Sequence, residues 1–250
     1  MMVVLAYHKL TRWEWGGTWV LPSEFRKQLQ YIKSRNIKVV KPDEFDVNSN
    51  RTGILITFDD GYADVYKVAF PLLEQLNFSA LVFLVVNYIG KENTWDANIG
   101  FRRYKHLNWY QIREMQRYGI KFGSHSLTHP DLRKVARFTA IREIMDSKKL
   151  LEDKLGEAVD YFSYPFGLYN KELEDIVAAA GYRCAFSLNP FSRSRWSYGR
   201  LAVYVIDTLW WFKNKVYPNS LLFKVEQFKA RAINRFGALT FIWKQLITHA

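Results

Sequence analysis

The sequence predicts an α/β fold of parallel β/α units, and three observations predict it. Short apolar runs alternate with stretches of helical periodicity along most of the chain. The 250 residues suffice for one large domain of α/β-barrel size or for two small ones. Polar and turn residues follow several of the apolar runs, at the strand ends where parallel α/β architectures collect functional side chains.

The elements follow in order. Residues 3–7 predict a first strand, with His8 just after it. Ser23 caps a helix to about Ser34 that carries Phe25, Leu29 and Ile32 on one face. Val39 and Val40 form a brief strand, and Asp43 to Phe45 start a turn. Residues 54–58 are a buried strand running into Asp59-Asp60-Gly61. A helix over 66–76 and a strongly apolar strand over 80–86 come next, then a long loop over 87–106 that contains Trp95. Asn108 caps a helix to Tyr118, and a strand over 120–123 delivers His125. A helix over 140–155 stops at Gly156. A strand over 161–164 ends in Pro165-Phe166-Gly167, a helix over 171–180 stops at Gly181, and 183–188 is a further strand.

Composition narrows the class. Hydrophobic and charged contents of 49% and 24% are those of a globular protein. The single Cys184 excludes an internal disulfide. The apolar N-terminus lacks a basic flank and a small-residue cleavage site, so it reads as a strand and not as a signal peptide. No run approaches the ~20 apolar residues of a membrane span. A cytoplasmic location is expected, with peripheral attachment to the inner membrane face as a variant. The net charge of +12 favours anionic partners. Nucleic acid is disfavoured, because no recognised binding motif accompanies the charge.

Two fragments carry the chemistry. Asp59-Asp60-Gly61 offers adjacent carboxylates at a strand end. His125 and His129 stand four residues apart, so both imidazoles face one point if the turn is helical. Either fragment alone reads as a surface turn or a pair of surface histidines. Together they supply two imidazoles and a carboxylate for one divalent metal, with open positions and a spare Asp to act as a general base toward water. His8 suits an acid that protonates a leaving nitrogen, with His249 as its competitor. His106, in a polar basic loop, reads as solvated.

These motifs resemble the polysaccharide deacetylases of the NodB-homology type, carbohydrate esterase family 4. The resemblance runs from Val3 to about Val205 through ITFDDGYADVY (56–66), LNWYQIREMQRYGIKFGSHSLTHPDL (107–132), LLEDKLGEAVDYFSYPFGLYN (150–170) and AGYRCAFSL (180–188). The opening VVLAYHKL resembles the circularly permuted branch that includes poly-N-acetylglucosamine deacetylases, which favours His8 over His249. The resemblance implies a distorted (β/α) barrel over 1–207 and a metal-dependent N-deacetylase. Asp59 would be the catalytic base, and Asp60, His125 and His129 would hold one divalent metal, Zn2+ before Co2+, Ni2+ or Mn2+. The substrate would be an N-acetylated glycan or a lipid-linked amino sugar. Tyr62, Tyr164, Pro165, Phe166 and Gly167 would line its groove, with a main-chain N–H at Phe166 for the oxyanion. The alternative is an inactive sugar-binding protein on the same fold.

The chain departs from the family pattern at three places. Ser163 and Tyr164 stand where many members carry an Arg that orients the base, and Arg200 is the candidate replacement. Lys121 stands where an acidic residue often precedes Gly-Ser-His. The Asp-rich fourth motif is not evident, and Asp207 is its nearest candidate. Residues 208–250 form a basic, aromatic-rich helical extension. Ser220 caps a helix there that runs to Phe236, with an apolar stripe of Leu221, Val225, Phe228, Ala232 and Phe236. That helix either packs on the barrel or meets an anionic membrane, where Trp and Lys/Arg gather.

Overall fold

The computed structural model describes residues 2–12, 14, 18–49, 51–94, 103–218 and 220–233. The His249 alternative, Trp95, and the end of the C-terminal helix at Phe236 lie outside these residues.

The strands are β1 (Met2–Tyr7), β2 (Lys9–Leu10), β3 (Trp19–Val20), β4 (Gly53–Phe58), β5 (Leu81–Leu84), β6 (Lys121–Ser124), β7 (Tyr161–Ser163), β8 (Cys184–Ser187), β9 (Tyr198–Gly199) and β10 (Leu201–Ala202). Eight of them form one parallel sheet in the order β10-β1-β4-β5-β6-β7-β8-β9, and β2 pairs with β3 apart from it. The helices are α1 (Pro22–Ser34), α2 (Phe70–Leu76), α3 (Trp109–Arg117), α4 (Arg137–Leu155), α5 (Lys171–Ala179), α6 (Leu209–Lys215) and α7 (221–233).

The two edge strands of the sheet are nearly one strand, because only Arg200 separates β9 from β10. Phe186 pairs with Tyr198 on one side, and Leu5 pairs with Leu201 on the other. The Arg200 N–H donates to Ser187 O at 3.0 Å, and the Val203 N–H donates to Ala6 O at 2.9 Å. Residues 198–203 thus bridge the first and last strands and nearly close a barrel.

Two apolar clusters show the period-two alternation of its strands. Val4, Leu55, Leu81, Phe83, Tyr161, Phe186 and Tyr198 pack together inside. Val3, Leu5, Ile54, Ile56, Val82 and Phe162 face outward and join the larger cluster with helix residues such as Leu29, Leu73, Ile112, Ile144 and Val177. Asn108 closes a capping box with Gln111 at the start of α3. Asn170 caps α5 through the Leu173 N–H. Phe212, Phe223 and Ala230 bring α6 and α7 into the larger cluster.

Lys121 lies at the start of β6, at the barrel end opposite the strand termini, where it bonds Glu157 at 2.9 Å. Asp207 is buried in an ion cluster with Lys215 at 3.3 Å and Lys229 at 2.9 Å. That cluster ties α6 and α7 to the barrel, so Asp207 serves the scaffold and is corrected as a fourth-motif candidate.

Candidate active site

Alternation decides which polar side chains meet. Counting by two from the interior residues Val4, Leu55, Tyr161 and Tyr198 leads to His8, Asp59, Ser163 and Arg200. These rows converge where the strands finish, and the structure brings all four together.

Asp59 and Arg200 form the centre. Arg200 Nη1 donates to Asp59 Oδ1 and Nη2 to Oδ2, each at 2.7 Å. The same guanidinium donates to Thr57 Oγ1 at 3.1 Å and Ser163 Oγ at 2.8 Å, and it lies over the Phe83 ring. Both partners are buried. Burial alone would raise the Asp59 carboxyl, but the Arg200 charge, with His125 and His8, holds it well below the usual carboxylate range. His8 Nε2 lies 3.7 Å from Asp59 Oδ2. Burial, aided by the charges of Arg200, His125 and Lys9, outweighs the pull of Asp59 and lowers His8 to about 4. His8 is therefore neutral at neutral pH.

Asp60, His125 and His129 face one point. His125 Nδ1 donates to Ser163 O at 2.7 Å, which leaves its Nε2 as the lone-pair nitrogen. That Nε2 lies 3.2 Å from His129 Nε2, and each of the two is 3.5 Å from Asp60 Oδ1. A triangle with sides of 3.2, 3.5 and 3.5 Å has its corners about 2.0 Å from its centre, within the range of Zn–N and Zn–O bonds. Burial lowers both histidines, so the donors are two neutral imidazoles and one carboxylate. That set fits a divalent metal and leaves coordination positions open.

The turn that carries the histidines is not helical, which corrects the expected geometry. Ser126 and His129 both have left-handed backbones, with φ of 68° and 63°. These conformations are uncommon for residues other than glycine, and hydrogen bonds hold them here. The His129 N–H donates to Ser126 Oγ at 2.9 Å. Glu143 of α4 accepts from the Leu127 and Thr128 N–H groups at 2.8 and 2.9 Å and from the Thr128 hydroxyl at 2.6 Å. Glu143 gives no signal of this role in the sequence, because nothing in its helical pattern distinguishes it from a surface acid.

His106 is also corrected: it is buried beneath Asp60, not solvated. Its Nδ1–H donates to Asp60 O at 2.8 Å, and its ring stacks on Tyr62 at 4.9 Å. It supports a backbone that turns through two left-handed residues, Asp60 and Gly61, each with φ of 67°. A Cβ on Gly61 would meet Leu84 Cδ2 at 2.7 Å, so the left-handed backbone and the close Leu84 side chain together favour glycine there. Burial lowers His106 to about 4.

The groove expectation divides. Tyr62 and Tyr164 are fully buried, which corrects them as substrate contacts. Tyr62 accepts from Asn93 Nδ2 at 2.7 Å, and the Tyr164 hydroxyl donates to Trp196 O at 2.7 Å. Pro165 is buried, whereas Phe166 and Gly167 are half-buried. The Phe166 ring sits 4.5 Å from His129, on a backbone with φ of 59°.

The profile of the family described as polysaccharide deacetylase matches residues 46–185. YxkH of Bacillus subtilis is 28% identical over 199 residues, covering 77% of this chain and 66% of that protein. The poly-β-1,6-N-acetyl-D-glucosamine N-deacetylase of Staphylococcus aureus is 25% identical over 185 residues, covering 68% of this chain and 61% of that protein. The chain thus spans slightly less than two thirds of the length of these relatives. IcaB from Ammonifex degensii shares the fold with a TM-score of 0.70 at 23% identity, over 81% of this chain and 91% of that one. The Streptococcus pyogenes deacetylase PplD, solved in complex with acetate, superposes with a TM-score of 0.73 at 22% identity, over 87% of this chain and 98% of that one.

Proposed function

This chain belongs to the polysaccharide deacetylase family, and from that premise we propose that it is a metal-dependent hydrolase of N-acylated amino sugars. Its substrate is an N-acetylated glycan or a lipid-linked amino sugar, from which it removes acetyl or another small acyl group. One observation carries the proposal. A second carboxylate, Asp59, is kept ionised by a bidentate Arg beside a three-donor metal site. A protein that only binds sugar needs neither the ionised base nor its clamp.

Asp60, His125 and His129 would hold the metal, which supplies Lewis-acid polarisation of the amide carbonyl and of water. Asp59 takes a proton from the attacking water. Arg200 fixes the carboxylate plane, so the base does not rotate away from the reacting atoms. His8, neutral in the resting site and 3.7 Å from Asp59, carries that proton to the departing nitrogen. The hydroxyl of water stays on the acyl carbon, and its proton ends on the amine. The Phe166 N–H stabilises charge on the substrate oxygen.

The test is acetate release from N-acetylglucosamine oligomers by the metal-loaded protein. Release should fall roughly 10²- to 10⁴-fold in Asp59→Asn, with bound metal unchanged. Wild-type protein that binds metal without releasing acetate would overturn the soluble N-acetyl glycan as substrate and leave two readings, another acyl or lipid-linked substrate or the inactive sugar-binding alternative.

A further inference from the structure

We infer that the outward face of α6 and α7 docks on an anionic phospholipid bilayer. The inference stands apart from the deacetylase reading, because none of its residues touches the site.

Helix α7 packs inside out. Phe223, Glu226, Gln227 and Ala230, spaced for one helical face, are buried. Leu221 is 79% exposed and Phe228 is 63% exposed on the other side. The rotation is fixed by polar chemistry. Glu226 Oε2 lies 2.9 Å from Lys215 Nζ and 2.8 Å from Lys229 Nζ. Gln227 Nε2 donates to Pro190 O at 3.0 Å. Turning the helix to hide its apolar stripe would break this buried cluster and leave charges unpaired.

The apolar stripe extends beyond α7 through Phe191, and α6 adds an exposed Trp pair. Phe228 meets Phe191 at 5.2 Å, and Trp210 meets Trp211 at 4.6 Å. Fourteen large apolar side chains are well exposed among the described residues, and nine of them lie between Phe191 and Phe228. Such concentration marks an interaction face.

Charge selects the occupant. Between 206 and 233 the only acids are Asp207 and Glu226, and both are buried in ion pairs. Lys224 and Arg231 are exposed on α7, Arg231 over the Phe191 ring, and half-buried Lys213 lies on α6 over the Tyr31 ring, with no acid in that stretch facing out. Protruding Trp, Leu and Phe among unopposed cations match a bilayer interface, where rings enter the acyl boundary and cations meet anionic headgroups. Pro190 and Phe191 follow β8, and Asp207 follows β10, so this face borders the rim that holds Asp59 and His8.

The test uses the full chain with two vesicle types, phosphatidylcholine alone and phosphatidylcholine mixed with phosphatidylglycerol. Wild type should co-sediment with the mixed vesicles and release at high salt. Leu221→Glu with Phe228→Glu should lower that partition at least about tenfold. Lys224→Glu with Arg231→Glu should lower it similarly on anionic vesicles alone. An unchanged melting temperature in both variants shows that they fold, and acetate release from soluble oligomers reads the catalytic proposal separately. Absence of vesicle binding by wild type, or binding unaltered in the Leu221/Phe228 variant, overturns the inference. A wild-type dimer that the same variant dissociates assigns the face to a second copy. A variant that melts early while wild type ignores vesicles assigns it to segment 234–250 of the chain itself.

Discussion

The Asp59–Arg200 pair offers a quantitative test that needs no substrate. Both groups are buried, and two charge-assisted bonds of 2.7 Å join them. Arg200→Met leaves an uncompensated carboxylate and should destabilise by about 3–5 kcal/mol. Asp59→Asn strands the guanidinium and should cost a comparable amount. The double variant removes both charges at once, so its loss should fall short of the sum by roughly 2 kcal/mol or more. Urea unfolding of the four metal-free proteins measures the cycle. Additivity within about 0.5 kcal/mol would refute the claim that the pair acts as one unit. Met keeps the unbranched apolar stem of Arg, although the guanidinium that lies over Phe83 is lost in both Arg200 variants and so cancels in the cycle.

Two other outcomes follow from the geometry. Glu143→Ala should weaken metal affinity about 10- to 100-fold in a chelator competition, because the Leu127 and Thr128 N–H groups and the Thr128 hydroxyl, in the turn between the two histidines, lose their acceptor; unchanged affinity would free the turn from that role. Metal-free protein should also lose stability in acid. His8 and His106 are both lowered to about 4, so the unfolded chain protonates them first, from about pH 6.5 downward. Their contribution is complete above that value and falls as pH drops toward 4, by up to about 3 kcal/mol each. Asp64, raised by burial to about 6, works the other way, gaining stability for the fold as pH falls below that value. His106→Gln should flatten the melting-temperature profile between pH 6.5 and 4, and a profile as steep as wild type would contradict the assignment.

Much of this site was legible in the sequence for a local reason. Asp59, Asp60 and His125 follow strands whose apolar runs are unmistakable, and strand ends are where a parallel sheet presents side chains. Arg200 could be named only as a replacement for a missing residue. Its strand is two short pieces, too brief to show a pattern, and its partner is 141 residues away. Glu143 and His106 stayed hidden because each acts on backbone groups, which leave no trace in residue spacing. The histidines meet without the helical turn that a spacing of four suits, because Ser126 and Glu143 bond the backbone of a turn whose Ser126 and His129 are left-handed. Tyr62 and Tyr164 were placed by resemblance, which locates a residue along the chain without saying which way its ring points. The C-terminal helix was found with its cap, and the Ser220 hydroxyl does accept from the Phe223 N–H at 3.1 Å. Its inverted orientation depended on a buried ion cluster that no periodicity contains.

The closing strand also governs how the molecule comes into being. Residues 198–203 are late in the chain, yet they pair with the first strand and supply the counter-charge for a carboxylate near residue 60. Until they dock, the barrel has two open edges and Asp59 has no cation beside it. Closure spans most of the chain, so these pairings carry a large loop-closure entropy. A nascent chain that has reached β8 therefore holds every proposed metal ligand but not a settled base. Closure of the barrel and the placing of a cation beside Asp59 are thus one event.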